Sequence, residues 1–386
     1  MGSTLAIWDV IVIGAGGVGS ATAMHLAKTG ARTLGIDQYS PAHARGSSHG
    51  QTRIIRQAYF EHPCYVPLLQ RAYGLWGELE QQTNQKLFHR TGLVELGPMH
   101  GVVIPGVLRS AITHDLPIER LSPTEIRERW PGVRGHDDWG AVVEKNAGFL
   151  RVEQCVEAHL EMAADHGCEL VHHCGVHQWS SNSHEVSVVT DHGVEKAAQL
   201  VIAGGPWTRT LIPSLSPWLQ ILRKHLYWFQ PAGHGFREKD GFPCFFHETD
   251  SGFFYGFPCF NGTGVKIARH SGGQPIEAPD QDSAKENTVD DQDQQLVIDY
   301  ANEYLPGLGS RLVTSAPCYY TSTPDEHFVI DRLPDHQNVT IVAGLSGHGF
   351  KFASVLGELA SQMALGREPA FDISPFAITR FQRESK

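Results

Sequence analysis

The feature that most limits what this chain can fold into is a strand, glycine turn, helix and strand in unbroken succession near its N-terminus. Asp9 to Ile13 (DVIVI) is a short β-branched run of the kind that forms a buried parallel strand. Gly14-x-Gly16-x-x-Gly19 follows at once. Ser20 to Lys28 then carries helical spacing through Ala21, Met24, His25 and Leu26, with Gly30 placed to cap its C-terminus. Thr33 to Ile36 reads as a second strand, ending at Asp37. In such a unit Gly14 permits the tight turn, Gly16 lets backbone approach a pyrophosphate, and Gly19 allows close helix–strand packing. The helix N-terminus presents N–H groups and a positive dipole end to phosphate, and the acid accepts from a ribose hydroxyl. A lone glycine triplet would be weak, because a turn that merely packs can carry one. Here strand, helix, second strand and acid all stand in order, and they predict dinucleotide binding.

The motif does not choose between FAD and NAD. Two more glycine-rich strand ends occur late in the chain, Gly204-Gly205-Pro206-Trp207 and Gly344-Leu345-Ser346-Gly347-His348-Gly349. They imply a nucleotide domain assembled from separated segments, an arrangement common in FAD enzymes. At 386 residues two domains are expected. Helices are predicted over Tyr65 to Gln82, Ser122 to Trp130 (with Ser122 and Glu125 as a capping box), Phe149 to Gly167, Gln295 to Tyr304 and Ala353 to Leu365. Strands are predicted at Leu93–Leu96, Glu169–His173, Val186–Val189, Leu200–Ala203 and Val339–Ala343. Between 220 and 320 aromatic runs alternate with turns, at Tyr227–Phe229, Phe253–Tyr255 and Val265–Ile267, the mark of antiparallel sheet. The acidic stretch Asp280 to Gln295 reads as a solvated loop, since it lacks the glycine and glutamate of a calcium loop. The fold class is α/β, α+β overall: a Rossmann-like FAD domain from residues 1–90, 145–218 and 316–386, and a substrate domain with a mainly antiparallel sheet from 91–144 and 219–315.

A net charge of -11 argues against nucleic acid as a partner. Seven scattered cysteines predict a reduced protein rather than a disulfide framework. No signal peptide, peroxisomal address or spanning run is read, so a cytoplasmic monomer off the membrane is expected. Arg53 and Arg56 would share a face if their segment were helical, and two unpaired cations need an anion; a surface salt-bridge pair is the plainer reading. In the Gly344–Lys351 segment His348 stands where a nucleophile elbow needs its last glycine, so a turn that approaches a ring is expected, with Lys351 placed to grip a carboxylate. Cys318 is by composition a small buried apolar residue. Cys244–His247 and His172–Cys174 lack partners at zinc-ligand spacing, so no metal is expected.

Longer motifs change the weight of these readings. GSSHGQTRIIRQAY (Gly46–Tyr59), YVPLLQRA (Tyr65–Ala72), YGFP (Tyr255–Pro258), KIARHSGGQ (Lys266–Gln274), PDEHFVID (Pro324–Asp331) and LSGHGFKFASVLGELA (Leu345–Ala360) stand in the order and spacing of the monomeric sarcosine oxidase family of FAD-dependent amine oxidases, which the chain resembles over nearly its whole length. The resemblance implies FAD bound through Gly14, Gly16, Gly19, Asp37, Gly347, His348, Gly349 and Lys351, and linked covalently through the sulfur of Cys318 to the flavin 8α carbon. It implies that Arg56 and Lys351 clamp a substrate carboxylate, and that Tyr255 and His270 line the pocket beside the amine. It places Lys266 at the flavin where oxygen is reduced, with His49 and Arg53 as flavin neighbours. Departures fall at Gly204–Trp207, at Ser48–Arg53 and at Arg269 beside His270, and they bear on substrate choice.

The expected reaction is oxidation of the secondary amine of an N-methyl amino acid, N-methyl-L-tryptophan-like or sarcosine, by oxygen, giving the primary amine, formaldehyde and hydrogen peroxide. Rival readings are another FAD amine oxidase (pipecolate, deglycating or D-amino acid), an NAD-dependent dehydrogenase, and a non-catalytic flavin-binding subunit.

Overall fold

The computed structural model describes residues 8–233, 235–279 and 290–382. Most of the acidic stretch at 280–295 and the last four residues therefore lie outside the described residues.

The predicted nucleotide unit is present: β1 (Trp8–Ile13), α1 (Gly17–Lys28) and β2 (Thr33–Ile36), with β1 and β2 parallel from Val10↔Thr33 to Ile13↔Ile36. Their sheet is completed by distant segments. Gly193–Ile202 pairs parallel to β1, His336–Ala343 parallel to Gly193–Ile202, and Glu169–Val171 parallel to β2. Val176–Ser181 and Val186–Thr190 form an antiparallel extension, and Val329–Leu333 lies antiparallel to His336–Ala343. α1 is buried nearly all round, because two helices, Val152–Asp165 and Ala353–Ala364, pack on it. The close approach is steric: a Cβ on Gly357 would stand 2.5 Å from the Cβ of Ala21. α2 (Val66–Thr83) covers the same core with Leu68, Leu69, Ala72, Leu75, Trp76 and Leu79.

The second sheet is mixed. Its order is Gln274–Ile276, Gln220–Phe229, Val265–Arg269, Gly252–Phe257, Cys244–Thr249, Leu93–Pro98, Trp139–Glu144, Glu119–Leu121, and Leu312–Ser322 also pairs with Gln220–Phe229. All these pairs are antiparallel except Cys244–Thr249 with Leu93–Pro98. Period-two alternation sends Tyr227, Phe229, Phe245, Phe254 and Ile267 to one core, under the helix Asp291–Tyr304. It sends Leu226, Trp228, Phe246, Tyr255, Ala268 and Cys318 to the other, toward the nucleotide sheet. The Ser122–Glu125 capping box forms as predicted, on the helix Pro123–Arg129.

Three sequence readings are refined by the structure. The helix predicted from Phe149 starts at Val152, because Gly148–Arg151 is a strand. That strand pairs with β3 (Thr52–Ile55), which carries Arg53, so the Arg53–Arg56 segment is extended rather than helical and the two cations do not share a helix face. The boundary drawn at residue 316 falls inside Leu312–Ser322, so Cys318 belongs to a strand of the second sheet.

Candidate active site

A single cleft runs from the β1–α1 turn to the aromatic face of the second sheet. At one end Gly14 takes φ +91, and a Cβ there would meet the Ala203 carbonyl oxygen at 2.5 Å. A Cβ on Gly19 would stand 1.7 Å from the Gly14 oxygen, so the helix can lie this close to the turn only with glycine. A Cβ on Gly16 would meet nothing nearer than Ser48 Oγ at 3.6 Å, which leaves its surface open to the cleft. No side chain of the N-cap residue bonds the start of α1, its first turn holds no acid, and Ser48 Oγ takes the Gly17 N–H. A positive helix end facing a cleft in this way fits a pyrophosphate. Asp37 accepts from the N–H groups of Ala15 at 2.7 Å and Tyr39 at 2.9 Å, and His43 stands 3.5 Å from it. Burial pushes the Asp37 carboxyl up; His43 and those two N–H groups outweigh it and hold it below its ordinary value, so a carboxylate is ready for ribose hydroxyls. This end of the cleft therefore fits the adenosine and pyrophosphate of FAD.

At the other end the turn Gly344–Gly349 brings backbone against the second sheet. Gly347 has φ +78, and a Cβ there would stand 2.3 Å from the Tyr320 ring. Gly347, His348, Gly349 and Lys351 all line the cleft. His348 Nε2 donates to the Glu326 carbonyl at 3.0 Å, which leaves Nδ1 to accept from Tyr59 Oη at 2.6 Å. Burial holds this imidazole neutral, with its pKa lowered to about 4. Cys318 is buried on the cleft wall, and Arg53 Nη2 approaches its Sγ at 3.2 Å while also donating to the Ser47 carbonyl at 2.9 Å. Arg53 thus joins the loop before β3 to the cysteine strand.

Arg56 and Lys351 share the pocket wall. Lys351 Nζ donates to the His348 carbonyl at 2.8 Å, and burial together with Arg56 lowers its pKa to about 7. Arg56 is ion-paired, as the plainer sequence reading had it, but the pair is buried rather than at the surface. Its Nη1 donates to the Ala58 carbonyl, its Nη2 reaches both oxygens of Glu61 at 2.9 and 2.8 Å, and its Nε stands 3.7 Å from Glu95. The rings of Tyr59 and Phe60 cover the guanidinium at 4.3 and 4.4 Å. Burial alone would raise the Glu61 carboxyl, but Arg56 outweighs it and holds it at about 2.

Tyr255 and His270 also line the cleft, with Phe246 between them and Phe60. His270 Nδ1 lies 3.3 Å from Tyr320 Oη, and burial lowers its pKa to about 3. Lys266 and His49 stand behind the wall. Lys266 Nζ donates to the carbonyls of Gly50 at 2.7 Å and Thr52 at 2.8 Å, under the turn that leads into β3, and burial holds its pKa well below that of a free amine. His49 is buried with Nε2 unbonded, its pKa lowered to about 3 by burial and then by Arg53 and Lys266. Sequence reasoning missed Glu61, Glu95 and Tyr320. The one legible signal was Glu95, an acid in the middle of an otherwise apolar strand.

The chain matches the family model of FAD dependent oxidoreductases over residues 9–363. It is 39% identical to the N-methyl-L-tryptophan oxidases of Salmonella typhi and Salmonella typhimurium over 377 residues, covering 97% of this chain and 100% of each relative. Among solved structures, NikD, an amino acid oxidase of nikkomycin biosynthesis, superposes with TM-score 0.83 at 23% identity over 96% of this chain and 97% of that one. Glycine oxidase from Geobacillus kaustophilus superposes with TM-score 0.79 at 20% identity over 97% and 98%. These structural likenesses show a shared fold across both sheets. With the family model spanning both sheets and the cleft between them, the chain belongs to the FAD-dependent oxidoreductases.

Proposed function

We propose that the chain oxidises the secondary amine of an N-methyl amino acid with an aromatic side chain, passing the electrons to oxygen. The observation that carries the reading is the pairing of two buried residues, Arg56 and Lys351, with the aromatic wall of Phe246 and Tyr255 in the cleft that ends at Cys318; Phe60 packs behind that wall, on Arg56 and Phe246. The names of the Salmonella relatives support the same substrate class. FAD, when bound, supplies the two-electron acceptor for the C–H bond next to the amine.

The protein's part is to bind, orient and exclude water. Arg56 and Lys351 hold the substrate carboxylate, and the carboxylate takes over the place that Glu61 holds on Arg56. Two anchoring cations on one side and an aromatic wall on the other turn the reacting carbon toward the cleft floor. His270 is neutral near pH 7 and can accept a hydrogen bond from the amine, while Tyr255 closes the pocket beside it. Arg53 places positive charge at the cysteine end; a negative flavin there would be stabilised by it and would in turn favour the protonated form of Lys266, which stands behind the wall. Cys318, buried on the cleft wall and contacted by Arg53, is the attachment point for a covalent flavin. In this reading the nucleotide half comprises residues 1–90, 145–218 and most of 316–386, and the protein works as a cytoplasmic monomer. Among the described residues no helix is long and apolar enough to cross a membrane.

Peroxide release during turnover of N-methyl-L-tryptophan, sarcosine, pipecolate, glycated and D-amino acids tests the substrate class. Turnover of no N-methyl amino acid refutes it. Acid precipitation tests the link: yellow colour is expected in the wild-type pellet and in the supernatant for Cys318→Ala, and a colourless wild-type pellet refutes attachment.

A further inference from the structure

We propose that Glu95 is a positioning residue behind the carboxylate clamp, and that its ionisation opposes binding of a carboxylate ligand at Arg56. The proposal rests on the reading of Arg56 as the clamp.

Glu95 sits in the middle of Leu93–Pro98. Its neighbours Val94 and Leu96 enter the outer aromatic core, while Leu93 packs on the opposite, cleft-side face, the face that alternation assigns to Glu95. Glu95 is fully buried, and neither carboxylate oxygen has a hydrogen-bond partner. The strands beside it offer no donor at its level: it stands opposite Val142 on one side and Phe246 on the other. Its ion-pair partner is Arg56, with Nε at 3.7 Å. The other charged groups that face it are Glu61 from the loop after β3, Glu144 from Trp139–Glu144 and Lys351 from the turn after His336–Ala343. Glu144 is engaged by the N–H groups of Gln57 and Ala58.

A buried carboxylate without a donor is unfavourable, so Glu95 holds a proton through the neutral range; burial pushes its pKa up to about 8. At neutral pH Arg56 then faces one anion, Glu61, and a ligand carboxylate that takes Glu61's place restores the same balance. Above that range Glu95 loses its proton to solvent and becomes a second anion at the guanidinium. It then repels the incoming carboxylate and competes for the Nε–H. Ligand binding at alkaline pH is accordingly coupled to uptake of one proton by Glu95.

The test uses the flavin-loaded full chain and indole-3-acetate, which carries a carboxylate and an aromatic ring but no amine, with binding read from the flavin absorbance between pH 6.5 and 9. Lys351, with its pKa lowered to about 7, loses its charge across this range in wild type and variants alike, so the readout is the ratio of wild-type to variant Kd. For Glu95→Gln the ratio should be near one at pH 6.5 and rise toward about tenfold at pH 9, the ceiling that a pKa of about 8 sets for a single coupled proton. Glu95→Met, which also removes the titrating group, should show the same trend and serves if the Gln variant does not fold. A ratio that is constant with pH overturns the proposal, since a merely structural role shifts affinity equally at all pH values. Arg56→Met should abolish binding at every pH. If Arg56→Met binds like wild type, the clamp reading fails and the proposal falls with it; if it abolishes binding while the Glu95 ratio stays flat, the clamp stands and the proposal alone is refuted.

Discussion

Gly347→Ala isolates the contact that brings the third glycine turn against the second sheet. Two penalties add there. The residue has φ +78, where an L side chain costs about 1–2 kcal/mol. Its new Cβ would also meet Cε2, Cδ2 and Cζ of Tyr320 at 2.3, 2.4 and 2.7 Å, inside a buried ring that is no flexible chain end. Overpacking of that kind costs about 1–3 kcal/mol, so the total is about 2–5 kcal/mol. For a chain of this size that corresponds to a fall in the melting midpoint on the order of 5 °C, measured on flavin-loaded protein by differential scanning calorimetry. Gly205→Ala separates the penalties. Gly205 has φ +53, and a Cβ there would meet nothing within 4 Å, so it should cost only the conformational part, about 1–2 kcal/mol. Tyr320→Ala removes the obstacle, so the double variant should recover the steric part and the two single effects should not add. Equal losses for Gly347→Ala and Gly205→Ala, or strict additivity with Tyr320→Ala, would refute the claim that the ring is what requires glycine.

Other perturbations follow from the same geometry. His247 is fully buried with Nδ1 on Tyr300 Oη, and burial lowers its pKa from 6.5 to about 3. The unfolded chain therefore takes up a proton near pH 6.5 that the folded chain refuses, so stability is lost as pH falls below 6.5, by about 2 kcal/mol at pH 5. Melting scans should show that loss reduced in His247→Phe, and an unchanged acid slope would contradict it. Lys266→Met should slow reoxidation of reduced flavin by about 10²-fold or more in stopped flow, with substrate reduction far less affected; equal slowing of both would assign the lysine to substrate handling. Glu61→Gln removes the anion that Arg56 holds, so carboxylate ligands should bind more tightly at pH 7, and weaker binding in a titration would show that Glu61 supports the clamp rather than competing for it.

The nucleotide half was legible because its signals are local. The β-branched strand, Gly14, Gly16, Gly19, the helix and Asp37 are contiguous, and each follows from the conformation that its own neighbours impose. The aromatic runs at Tyr227–Phe229 and Phe253–Tyr255 likewise predicted pleated sheet from their alternation. The Arg53–Arg56 segment stayed undecided for the opposite reason: its strand pairs with Gly148–Arg151, almost a hundred residues on, which no local pattern reveals.

By itself the sequence determined a dinucleotide-binding turn, two sheets and a short list of cations and rings able to surround an amine and a carboxylate. Only the tertiary structure decided which charges meet. It put Glu61 and Glu95 on Arg56, Arg53 on Cys318, and Lys266 beneath Gly50 and Thr52 rather than on the cleft wall. Ion pairs and buried acids form between segments whose separation along the chain carries no information about their distance in space. Their protonation depends in turn on burial that no short stretch of residues specifies.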